Sequence, residues 1–128
     1  MSVRYVIHKK YRLIHTIGED SITAAEVQAH QDQLLSDPAF DPSFNQLIDV
    51  TTALQLDITV AEAKEIARRR IVSANARRAF AARTIHMFVL GRLMEIYHEA
   101  HHEVDVHIFD DRDEALKWLG MPENSGLY

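Results

Sequence analysis

The chain has 128 residues, 47% of them hydrophobic, and a net charge of −5, which is enough for one domain with a core of its own. The absence of cysteine excludes a disulfide scaffold, a thiol nucleophile and cysteine-rich zinc sites. Residues 1–10 show charge and strand-like alternation instead of an apolar leader, and no run approaches the roughly 18 apolar residues of a membrane span, so a cytoplasmic protein without membrane insertion is expected.

The opening VRYVIHKKYRLIHTI reads as two short strands joined at Lys9-Lys10, with Val3, Tyr5 and Ile7 on one face and Leu13, His15 and Ile17 on another. Gly18-Glu19-Asp20-Ser21 is expected to break the pattern. Thr23 followed by Glu26 forms a capping box, and Ala24, Val27, Gln31 and Leu34 define the inner stripe of the helix that it opens. Asp37-Pro38 ends that helix, because proline lacks a donor and disfavours helix in the residue before it. DPAFDPSF is a turn-rich connection, QLIDV a buried central strand, and TTALQLD a loop.

A second capping box, Thr59 with Glu62, opens a helix reaching to about Arg70, with Val60, Ala63, Ile66 and Ala67 at helical spacing. A polar connection over 71–77 leads to a strand over Ala79–Ala82. Thr84 to Ala100 is the longest predicted helix, VDVHIF a strand, and Asp111 to Leu119 a closing helix stopped by Gly120 and Pro122. The order ββαβαβαβα predicts an α/β fold: a single mixed, mostly parallel sheet of about five strands with packed helices. Residues 1–120 form the predicted domain and 121–128 a C-terminal tail, of which ENSGLY is expected to fray.

Charge is unevenly spread. Residues 66–92 hold seven arginines and no acid, in a chain that is otherwise acidic beyond residue 18. The group Arg68, Arg69, Arg70, Arg77, Arg78 and Arg83 is read chiefly as solvated helix ends. Consecutive arginines cannot share one helix face and only Phe80 is interleaved, so nucleic acid is not expected as a partner.

HEAHH, residues 98–102, matches the H-E-x-x-H pattern of zinc hydrolases. A zincin needs a third ligand, an open coordination position and a cleft. Here the predicted helix is ending, and His98 and His102 fall opposite its core stripe, so the histidines are read as solvated groups complementing the helix dipole. No metal or other cofactor is expected. Met87, Gly91 and Met94 make a second apolar stripe on that helix. It is covered by another element, or forms a subunit contact as in a homodimer, or walls a ligand pocket.

LIDVTTALQLDIT, together with DVHIFDDRDEALKWLG, resembles the STAS superfamily, and more closely its SpoIIAA-like (STAS-like) family of small bacterial domains. The likeness includes the D-P-x-F-D-P-x-F-like run at 37–44, a strand ending in LIDV, and the closing EALKWLG. It covers Val3 to Gly120. In anti-sigma factor antagonists of the superfamily, an Asp-Ser-Ser-Gly stretch opens the second helix and its second serine is phosphorylated, which blocks partner binding. The matching stretch here is Asp57-Ile58-Thr59-Val60. The resemblance makes Thr59 a candidate phospho-acceptor, whereas the capping box alone explains it as an N-cap.

The resemblance implies a non-enzymatic regulatory domain that contacts an unknown protein partner through residues 51–62. Asp57, Thr59, Arg69, Arg70, Met87, Gly91 and Met94 are its candidate surface. The alternative is a carrier or sensor of a small apolar or anionic ligand, lipid-like in character, which demands an enclosed apolar pocket. A hydrolase built on HEAHH is a minor third. Asp49 and Asp57 could form a carboxylate pair at the sheet edge, but they read more simply as anchors of the strand end and the loop.

Overall fold

Alternating side chains in the first twenty residues make two strands, and the rest of the sheet grows from them. The computed structural model describes residues 2–69, 71, 75–83 and 105–128. Strands β1 (Val3–His8), β2 (Leu13–Thr23), β3 (Asn45–Asp57), β4 (Arg77–Ala81) and β5 (Asp105–Phe109) lie side by side in that order. β1 is antiparallel to β2 and every other pairing is parallel. The expected mixed, mostly parallel five-stranded sheet is present.

Helix α1 (Ala24–Ser36) starts at Thr23 and helix α2 (Val60–Arg68) at Thr59, each through a complete capping box. Both sit on the sheet face that carries Ile14, Ile48 and Phe80. Helix α3 (Arg112–Trp118), capped by Asp111, covers the other face, where Ala115, Leu116 and Leu119 pack on Leu13, Leu47, Ala79 and Ala81. The segment 84–100, expected as a long helix, lies outside the described residues.

Four expectations are corrected. Gly18–Ser21 does not end β2, and TTALQLD is no loop: β2 continues to Thr23 and β3 to Asp57, paired with each other throughout. The register shows why the sequence hid this. Ile17 faces Asp49 but Glu19 faces Thr52, and Asp20 faces Ala53 but Ser21 faces Gln55. At each step β3 carries an extra residue, the signature of a bulge. Inward positions therefore fall at Val50, Ala53 and Leu56, three apart, and the period of two that announces a strand is lost. β4 also begins two residues earlier than expected, at Arg77.

The tail is packed, not frayed. Met121, Leu127 and Tyr128 lie against the Leu13–Leu116 cluster. Arg112 donates to the Leu127 carbonyl at 2.9 Å and the Tyr128 hydroxyl to the Met121 carbonyl at 2.8 Å.

Candidate functional site

Between the sheet and the helices α1 and α2 lies a cavity, part of it open to solvent. Its position follows from strand phase. Thr16, Ile48 and Phe80 face the helices as one rung, Gln46 and Arg78 as the next, with Gly18 and Val50 beyond them. α1 contributes Val27, His30, Gln31 and Leu34 as roof, and α2 contributes Ile66. At Gly18 a Cβ would stand 2.5 Å from Ile22 Cδ1 and 3.0 Å from Val50 Cγ1, so a larger residue there requires these side chains to shift.

One strip of the lining is polar, and it forms a continuous chain. Arg78 Nε donates to Gln46 Oε1 at 3.1 Å, Gln46 Nε2 donates to Thr16 Oγ1 at 2.9 Å, and Thr16 Oγ1 lies 3.1 Å from His30 Nε2. All four residues are buried, Arg78 and His30 to 5% exposure. Burial pushes the pKa of Arg78 down to about 10, so it remains a cation at neutral pH. Among the described residues no carboxylate pairs with it. Burial first, and the charge of Arg78 second, push His30 down to about 4, so its ring is neutral. His30 Nδ1 has no hydrogen-bond partner among the described residues.

The roof is fastened by Arg69, which leaves the C-terminal end of α2 and donates to Asp32, to Gln31 Oε1 and to the Gln28 carbonyl, all on α1. Gln31 in turn reaches the Ile66 carbonyl at 3.5 Å. Such cross-helix bonds fix the spacing of the two helices over the sheet.

The opposite face carries a second polar group. His15 Nε2 and Arg112 Nη1 each lie 3.8 Å from Asp49 Oδ2, while Asp49 Oδ1 accepts from the Thr51 amide at 3.0 Å and hydroxyl at 2.7 Å. Burial alone would raise the Asp49 pKa, but His15 and the two bonds from Thr51 outweigh it and bring it down to about 2. Asp49 thus anchors the strand at its bulge. Asp57 is exposed and accepts from Gln55 at 3.0 Å, and the two carboxylates belong to separate arrangements.

The residues singled out in the sequence are scattered. Thr59 is exposed and engaged as the N-cap of α2, its hydroxyl accepting from the Glu62 amide at 3.1 Å. Arg69 is a clamp between helices, and Asp57 lies at the end of β3. Arg70, Met87, Gly91 and Met94, like HEAHH, lie outside the described residues. Among the described residues no three His, Asp or Glu side chains are grouped to hold a metal, and no helix is long and apolar enough to cross a membrane.

The polar strip escaped the sequence reading. In the sequence Arg78 sits among charged neighbours, yet it stands two residues before Phe80 in a strand, as Gln46 stands two before Ile48 and Thr16 two before Gly18. His30 falls between Val27 and Leu34 on the inner stripe of α1. Side-chain phase was the available signal.

No protein-family model matches the sequence, nor does any curated protein. Among solved structures, the chain is similar to an uncharacterized protein of the DUF3478 family with a SpoIIAA-like fold from Shewanella loihica PV-4. The TM-score is 0.63 at 16% identity, over 92% of this chain and 94% of that one. At that identity the likeness concerns the fold, which is SpoIIAA-like, as the resemblance had implied.

Proposed function

We propose that the protein is a non-enzymatic binding domain that holds one small, largely apolar molecule in the cavity beneath α1 and α2. The observation that carries this reading is the cavity itself, a gap lined by side chains of the sheet and of both helices. Natural cores are close-packed, and here the walls are predominantly aliphatic, with a few convergent polar groups.

The same geometry argues against catalysis at this place. Thr16 and His30 are in contact as a hydroxyl and a base would be, yet the imidazole is too weak a base at a pKa of about 4. It also lacks the orienting carboxylate that activates such pairs, with Nδ1 unpartnered among the described residues.

The test is titration of the full chain with the neutral fluorophore N-phenyl-1-naphthylamine. Emission should rise and saturate at a single probe per chain. Gly18→Val, or Val27→Trp if the first variant does not fold, should abolish the signal by filling the space. A folded, filled variant that binds as well as the parent would refute the reading.

One observation favours a second reading, protein contact through residues 51–62: Leu54 and Val60 are 79% and 56% exposed on that edge. Contact there would be lost in Leu54→Asp and kept in Gly18→Val, the reverse of what cavity binding requires.

A further inference from the structure

The polar strip in the cavity has a direction, and it follows from a single fact: arginine only donates. Arg78 Nε must therefore meet the oxygen of Gln46, which turns the Gln46 amide nitrogen toward Thr16. Thr16 Oγ1 accepts that bond, and its own proton has one acceptor within reach among the described residues, His30 Nε2 at 3.1 Å. His30 Nε2 is then the unprotonated nitrogen, and the hydrogen of the neutral ring sits on Nδ1. That N–H is buried without a partner among the described residues. A buried donor left unmatched is costly.

The strip thus ends in donors at both ends. At one end is the Nδ1–H of His30. At the other is the guanidinium of Arg78, of which only Nε is taken up by a described residue. Both side chains line the cavity. The Gln46 amide and the Thr16 hydroxyl between them are already committed to each other and to the ends.

We infer that the molecule held in the cavity is a monocarboxylic acid, its carboxylate accepting from Arg78 and from His30 Nδ1–H and its hydrocarbon body lying along Ile22, Ile48, Val50 and Leu56. The inference rests on the cavity being a binding site, as proposed above, and names the class of ligand. An acceptor-only head matches the donors at the two ends of the strip, and a carboxylate matches the planar guanidinium. One cation balances one charge, whereas a dianionic phosphate would bring a surplus charge into a buried site at considerable cost. An alcohol would fill the same apolar space without an ion pair to Arg78.

The experiment is displacement of N-phenyl-1-naphthylamine from the full chain, at neutral pH, by decanoate, decan-1-ol and decyl phosphate. Decanoate should displace the probe at about tenfold lower concentration than decan-1-ol, with decyl phosphate weaker than decanoate. In Arg78→Met the acid should lose its advantage while the alcohol keeps its affinity. If that variant does not fold, the comparison is made with His30→Phe, where the advantage should shrink. Equal displacement by acid and alcohol overturns the inference and leaves the cavity reading intact, as does stronger displacement by the phosphate. An advantage that persists in folded Arg78→Met also overturns it. Failure of the probe to bind at all removes both the inference and the reading beneath it.

Discussion

His30 shows most clearly how one residue couples stability to the site. Its ring is held neutral, with a pKa of about 4 in the folded chain against an ordinary value near 6.5. Between those limits the unfolded chain takes up a proton that the folded chain does not, so stability falls as pH is lowered from about 6.5 toward 4. The loss amounts to at most about 3 kcal/mol from this group. Asp49, with its pKa brought down to about 2, acts in a separate and more acidic window, its stabilisation disappearing as pH falls through that value. In His30→Gln an amide oxygen can still accept from Thr16 but nothing titrates. Urea unfolding at a series of pH values should therefore give a shallower decline between pH ~6.5 and ~4 than in the parent; parallel curves would contradict the assignment.

The helix starts were plain in the sequence, because a capping box is a local device: Thr23 with Glu26 and Thr59 with Glu62 need no tertiary information. Replacing Thr59 by alanine should cost about 1 kcal/mol, seen as a lower denaturation midpoint, and leave ligand binding unchanged. A change in binding would indicate that residues 57–62 do more than begin α2. The second halves of β2 and β3 were hidden because two bulges displace the inward side chains from alternate positions. Bulges are set by pairing with a distant strand, which a local window cannot see. The polar strip was hidden for another reason. Arg77 and Arg78 are adjacent and identical in kind, yet one lies against Trp118 at the surface and the other inside, a difference that depends only on which face of β4 each occupies.

At the scale of the whole molecule, the two sheet faces have different roles. One is closed by α3 and the returning tail, with alanines at positions 79, 81 and 115 allowing close approach. The other is closed by α1 and α2, held together by Arg69, over a space they do not fill. The most direct measurement of whether that space is the binding site is a methyl NMR titration of isoleucine-labelled protein with decanoate. Ile22, Ile48, Ile58, Ile66 and Ile71 line the cavity, whereas Ile17 lies on the other face of β2. The five cavity methyls should shift together and saturate with one ligand bound, while Ile17 stays in place. Shifts confined to surface methyls, or no saturable shift at the five, would contradict the account.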